Sequence, residues 1–209
     1  ALTDLGYEYA HHGQGRWNGV AIVSRVGLTD VQRGLANEPG FPDPATLEAR
    51  AITATCNDIR IACVYVPNGR EPDDPHYHYK LAWLRALTAH TSTLGSTAIV
   101  CGDINIAPTD ADVFDAAMFE GHTHVTQPER GALADLMSRG LRDVVRQELH
   151  PDFCWFHPRV ASVPGTGRAG QPAVIMTLQR HLGVSDHYSG LWMMRTDDLG
   201  KTWSGPTEI

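Results

Sequence analysis

Ser96-Thr-Ala-Ile-Val-Cys101 is a short apolar run that passes without a spacer into Gly102-Asp103-Ile104-Asn105. Such a run reads as a buried strand, and it delivers polar side chains at its C-terminal mouth, where α/β proteins place chemistry. Other segments fit around it. Asn18-Gly-Val-Ala-Ile-Val-Ser24 reads as a second buried strand. Arg50 to Cys56 and Ile59 to Val66 read as two strands joined by Asn57-Asp58, a pair suited to a tight turn. Residues 26 to 46 hold Gly27, Gly34, Gly40, Pro39, Pro42 and Pro44, too dense for a helix, and read as a long loop. Leu81, Trp83, Leu84 and Leu87 form one apolar stripe and predict a helix over His78 to Thr91. A second helix is expected around Leu133 to Met137, with Leu141-Arg-Asp-Val-Val145 after it. The alternation implies a layered α/β domain without repeats.

The chain has 209 residues, enough for one sizeable domain, or one domain followed by a short foreign segment. Hydrophobic residues at 42% and charged residues at 20% make disorder a poor default. The formal charge of -7 repels nucleic acid overall, so any DNA contact must rest on a local basic face and on metal at the site. No stretch approaches the roughly 18 consecutive apolar residues of a membrane helix, and no leader opens the chain; a soluble, cytosolic monomer is expected. Cys56, Cys63, Cys101 and Cys154 lack the spacing of a zinc or redox motif and read as free thiols.

Asp103 and Asn105 lie two apart, so they share one face if the strand continues. A carboxylate there can hold a divalent cation or take a proton from water, and an amide beside it can orient that water or a phosphate. The same residues also make good Asx-turn composition, and both readings stand. Tyr65 and Asn68 end another strand, where a phenol and an amide could steady a phosphoryl group, although Tyr65 alone is more often a packed aromatic. Ser185-Asp186-His187 sets a carboxylate beside an imidazole. His11-His12 and His76-x-His78 read as surface or loop histidines rather than metal tracts. Arg16, Arg25, Arg33, Arg70 and Lys80 are candidates for a phosphate-facing patch or simply solvated bases.

Five blocks occur in order over about residues 1 to 158: Gly13-Gln-Gly-Arg-Trp-Asn-Gly-Val-Ala-Ile-Val-Ser-Arg25, Val64-Tyr-Val-Pro-Asn-Gly69, His78-Tyr-Lys-Leu-Ala-Trp83, Gly102-Asp-Ile-Asn-Ile-Ala107 and Gly140-Leu-Arg-Asp-Val-Val145. Together they resemble the exodeoxyribonuclease III branch of the endonuclease/exonuclease/phosphatase superfamily. The resemblance implies an α/β two-sheet sandwich flanked by helices. It would act on double-stranded DNA at abasic sites and 3' ends, with Mg²⁺ or Mn²⁺. Asp103 would activate the water, Asn105 would position it or the phosphate, Tyr65 would bond the phosphate, and Asn68, Arg16 and Arg70 would meet the substrate. His187 would be the catalytic imidazole, and the metal would lie on Asp103, Asn105 and Asp186. Two departures stand out. The family's opening segments, with an Asn and a metal-binding Glu, precede the point where this chain begins, and the Arg-x-Asp strand that supports the family's histidine has no match from Val160 to Val184.

The resemblance gives a partial nuclease domain over 1–158, a loop or linker over 159–170 and an atypical tail over 171–209, either the final nuclease strands or a sialidase-like β-hairpin fragment. In the tail, Thr196-Asp-Asp-Leu-Gly-Lys-Thr-Trp203 resembles the Asp box of sialidase-like propellers. There Asp198, Gly200, Thr202 and Trp203 would shape a turn, with Pro172 to Met176 and Gly190 to Met194 as neighbouring blade strands. An inactive nuclease fragment joined to a sialidase-like segment is the alternative reading.

Overall fold

A computed structural model describes residues 2–15, 17–113, 115–143, 155–180 and 188–209. It is a mixed α/β structure with several sheets and few helices. The chain divides into two compact units, one of Tyr9–Val23 and Leu28–Arg142, the other of Ala1–Glu8, Ser24–Gly27 and Asp143–Ile209.

In the larger unit β1 (Glu8–Gln14) pairs with β2 (Asn18–Ser24) in a two-stranded sheet. A four-stranded sheet follows in the order β3 (Thr29–Arg33), β4 (Ala51–Cys56), β5 (Ile59–Tyr65), β6 (Ala98–Asp103). The β4–β5 hairpin closes with Cys56 opposite Ile59, and Asn57 takes φ 54°, as the Asn-Asp pair leads one to expect. β5 and β6 run parallel, joined by α1 (Pro75–Thr91). The helix starts three residues before His78, because Asp74 accepts the His76 N–H at 2.7 Å and Pro75 occupies the first turn, a cap the apolar stripe alone does not reveal.

Trp83, Leu84 and Leu87 of α1 are buried against Ala51, Val64 and Val66 from the sheet and Leu136 of a later helix. Each large side chain so buried contributes roughly 2 kcal/mol. The short α2 (Ala116–Phe119) and then α3 (Gln127–Met137) complete the unit. Cys56, Cys63 and Cys101 form no disulfide with one another, and Cys63 stands opposite Cys101 in the parallel pair.

The expected loop over 26 to 46 needs correction, since β3 lies within it. Gly27 and Gly34 bracket that strand, and its pairing with β4 is irregular around Asp30, at φ 50°. An edge strand this short and polar leaves little apolar alternation to read.

The smaller unit holds an antiparallel sheet in the order β10 (Thr207–Glu208), β9 (Trp192–Thr196), β8 (Ala173–Arg180), β7 (Trp155–Val163). Residues 159 to 163, expected in a linker, are strand: Arg159 to Val163 pair residue by residue with Thr177 to Ala173. Interstrand pairing along this segment outweighs its weak apolar pattern. β8 and β9 are neighbours, with Met176 opposite Met194, and these two pack with Leu178, Val160 and Trp203.

The turn after β9 is built on Asp198. Its Oδ1 accepts from Thr202 N and Thr196 Oγ1, both at 2.9 Å, and its Oδ2 accepts from Thr202 Oγ1 at 2.7 Å. These bonds, led by the Thr202 hydroxyl, pull the Asp198 carboxyl from its ordinary 3.8 to about 2. A depressed folded value contributes stability that is present above the unfolded pKa and lost as pH falls through the folded one. The smaller unit should therefore lose stability between about pH 4 and pH 2, and Asp198→Asn should flatten that dependence. Urea melts followed at a tail tryptophan would check this; an unchanged pH profile in the variant would contradict it. Among the described residues no helix is long and apolar enough to cross a membrane.

Candidate active site

The site is built where two parallel strands end. Tyr65 of β5 stands opposite Asp103 of β6, and Val64 opposite Gly102, so Tyr65 and Asp103 project to one face. Gly102 has φ 127°, and a Cβ there would fall 1.9 Å from the Val64 carbonyl oxygen. Only glycine permits that approach, which brings Asp103 level with the end of β5; the Asp103 carbonyl then accepts Val66 N–H at 2.9 Å.

Asn105 adopts φ 52° and folds back. Its N–H donates to Asp103 Oδ1 at 3.0 Å, while Nδ2 donates to Asp103 Oδ2 at 3.2 Å and to Val66 O at 2.9 Å. The two readings of Gly-Asp-x-Asn thus coincide, since an Asx turn is the device that fixes both side chains. With Nδ2 committed twice, Asn105 Oδ1 is the atom left to accept. Asp103 is exposed and Asn105 half-buried.

Asn68 follows Val66-Pro67 and is exposed, its Oδ1 accepting Arg70 N–H at 2.9 Å. Beneath it lies a charge. Lys80 Nζ, fully buried, donates to Asn68 O at 3.0 Å, to Asn105 O at 2.6 Å and, by a very short bond, to Glu129 Oε1. Three acceptors around one nitrogen require the three hydrogens of an ammonium.

Glu129, also fully buried, accepts at Oε1 from Thr123 Oγ1 (2.8 Å) and His124 N (3.0 Å), and at Oε2 from Thr126 N (3.1 Å) and Thr126 Oγ1 (2.8 Å). Burial pushes its carboxyl upward, but Lys80 and these donors together hold it below the usual carboxylate range. Burial presses the Lys80 ammonium down, and the Glu129 carboxylate opposes that pressure. The His124 ring bridges the same loops: Nδ1 donates to Asn105 O at 2.7 Å, which leaves Nε2 to accept from Asn68 Nδ2 at 3.4 Å.

Arg50 supports Tyr65 from the side. Its guanidinium lies 5.0 Å from the Tyr65 ring centre, donates to Tyr65 O at 3.3 Å and to Glu48 at 2.7 Å, and Glu48 in turn accepts from Asn18 at 2.8 Å. His76, expected on the surface, is buried and accepts Gly69 N–H at Nδ1, which pins the turn after Asn68. Burial, with the charges of Arg70 and Arg50, keeps that imidazole below its ordinary pKa and so neutral.

Of the residues singled out from sequence, Tyr65, Asn68, Asp103 and Asn105 come together. Arg70 is exposed beside Asn68, over a cleft of about 350 Å³ that His122 and His124 also line. Arg16, Asp186 and His187 lie outside the described residues. Lys80 is a correction: it is no phosphate-facing surface base, because its place on α1 in line with Leu84 and Leu87 turns it inward to Glu129. Arg33 donates to His11 O, and Arg25 lies over the Tyr7 ring.

Sequence reasoning missed Glu129 and His124. The signal for Glu129 was available as Thr126-x-x-Glu129, a capping box ahead of an apolar run, and the structure forms that box. Among the described residues no three His, Cys, Asp or Glu side chains gather around a common point. The exposed Asp103 carboxylate beside the Asn105 amide oxygen is a hard, open donor set. It suits Mg²⁺ or Mn²⁺, which keep several waters and need only one or two carboxylates together with substrate phosphate.

Comparison with known proteins agrees with the α/β fold. The exodeoxyribonuclease of Bacillus subtilis is 26% identical over 152 residues, 70% of this chain and 58% of the relative. A 3' phosphatase from Neisseria, NExo, solved bound to a product DNA hairpin, superposes with TM-score 0.66 at 35% identity over 75% of this chain and 61% of that one. An AP endonuclease from Archaeoglobus fulgidus gives TM-score 0.64 at 31% identity over 72% and 57%. The chain therefore spans about three fifths of the length of each of these proteins. The profile of the endonuclease/exonuclease/phosphatase family matches residues 1–187, stopping short of β9. With that match over most of its length and the strand-mouth site on the larger unit, the chain belongs to the endonuclease/exonuclease/phosphatase family.

Proposed function

We propose that this chain is a divalent-metal-dependent phosphodiesterase of the DNA backbone, incising duplexes at abasic sites and trimming 3' ends. The observation that carries the reading is the convergence of Asp103, Asn105, Tyr65 and Asn68 at the mouths of two parallel strands, with the Asp103 carboxylate exposed and Asn105 Oδ1 left to accept. The relatives' names, an exodeoxyribonuclease, a 3' phosphatase bound to DNA and an AP endonuclease, favour DNA over other phosphoesters.

In this reading Asp103 takes a proton from a water that attacks phosphorus, and the bond from phosphorus to the 3' oxygen breaks. Asn105 Oδ1, aimed by its two Nδ2 bonds, orients that water. Tyr65 donates its hydroxyl to a non-bridging phosphate oxygen, and Asn68 shapes the pocket wall. Arg70, and Arg16 from outside the described residues, meet the flanking backbone. Asp103 and Asn105 would hold a Mg²⁺ or Mn²⁺ ion, with Asp186 as a further ligand by resemblance; the ion supplies charge stabilisation for the oxygens of the transition state. His187, by the same resemblance, donates to a phosphate oxygen.

The tail carries a different reading. The segment that resembles an Asp box forms a turn in which Asp198 accepts from Thr202, and a single four-stranded sheet cannot make a propeller site. We assign it no catalytic role.

A substrate panel tests the reading. With Mg²⁺ present, an abasic duplex and a recessed 3' end should be processed, while a phosphoinositide headgroup and a plain phosphomonoester should not. Preference for the small phosphoesters would overturn the assignment to DNA.

A further inference from the structure

We propose that the buried Lys80–Glu129 pair is a positioning device for the candidate active site: it sets the separation of Asn68 and Asn105 and acts on the chemical step rather than on substrate affinity. The kinetic part of this inference rests on the phosphodiesterase reading; the structural part does not.

The argument begins with donor accounting. The Lys80 ammonium has three hydrogens, and all three are spent on Asn68 O, Asn105 O and Glu129. Lys80 is fully buried, so it has neither a spare donor nor an open path to a phosphate. Its two carbonyl partners belong to the very residues whose side chains face the site, on loops that leave different strands.

Glu129 extends the brace to a third loop through Thr123 Oγ1 and His124 N. That loop returns the His124 ring to Asn105 O and to Asn68 Nδ2. The Asn68 and Asn105 loops are thereby joined twice, once by the ammonium and once by the imidazole. The Asn68 amide is also fixed in sense: its Oδ1 holds Arg70 N–H, so a flip would set N–H against N–H.

A buried ion pair gains little stability over apolar side chains of the same volume, because desolvation offsets the attraction. What this pair supplies that apolar groups cannot is three directed hydrogens on the backbone of two site loops. Catalytic geometry is sensitive on that scale, a displacement of about 1 Å costing on the order of a hundredfold in rate.

The test is the double variant Lys80→Met/Glu129→Gln. Met fills the volume of the lysine stem, and the Gln oxygen still accepts from Thr126, so packing and the α3 cap persist while the ammonium shared by Asn68 O and Asn105 O vanishes and the bond from His124 N is given up. Melting near that of the unaltered chain is expected, with faster hydrogen exchange over residues 66–70 and 103–107 and unchanged protection in β4. Single-turnover cleavage of an abasic duplex at saturating substrate should fall about ten- to a hundredfold, with half-saturation moved less than about threefold.

A change confined to half-saturation in the double variant would overturn the proposal. If the unaltered chain cleaves no substrate, the phosphodiesterase reading fails. Unchanged exchange over 66–70 and 103–107 in the folded double variant would then separately overturn the brace.

Discussion

Lys80→Met alone should destabilise the larger unit by about 3–5 kcal/mol, the usual result of removing one partner of a buried ion pair. The substitution strands the Glu129 carboxylate in a site without solvent and leaves Asn68 O and Asn105 O without their ammonium donor. The double variant neutralises the stranded group, so most of the loss should return. The two substitutions are therefore strongly non-additive, as expected of side chains in one network. Urea denaturation of the two single variants and the double variant measures this coupling. Additive behaviour within about 0.5 kcal/mol would mean that the pair is not ionised in the folded chain.

The largest effect on activity is expected at Asp103. Asp103→Asn keeps an oxygen to accept Asn105 N–H and gives up only the bond from Asn105 Nδ2, which still holds Val66 O, so it should preserve the Asx turn, the strand end and the melting temperature. Among the described residues it removes the one group at the strand mouths placed both to accept a proton from water and to offer a charged oxygen to a cation. The maximal cleavage rate should fall by about 10² to 10⁴, with little change in DNA affinity, in line with the loss of a general base. A folded variant that retains most of the rate would move the base elsewhere.

The strands were legible from their apolar runs, although burial differs among them, β4 being buried almost throughout, β2 and β5 at about every second residue and β6 only half-buried. β2, β4, β5 and β6 all lie within two residues of the bounds read from their apolar runs, and Gly102-Asp-Ile-Asn gave the site because a strand mouth and an Asx turn use the same residues. Polar and edge elements were hidden: β3 is exposed along most of its length, and the start of β7 has no clear alternation.

Lys80 was misread for a physical reason. A lone base on a helix is a surface group by default, and only the fold brings Glu129 opposite it. His124 carried no local signal, since its role comes from reaching Asn68 and Asn105 across the chain. Arg16, Asp186 and His187 remain proposals by resemblance.

The most direct test of the central claim is incision of a duplex carrying one abasic-site analogue by the unaltered chain, with Mg²⁺ present or chelated. Incision that appears with the ion, disappears on chelation and is lost in Asp103→Asn is the predicted result. No incision from a demonstrably folded chain, or incision indifferent to both the ion and Asp103, would contradict it.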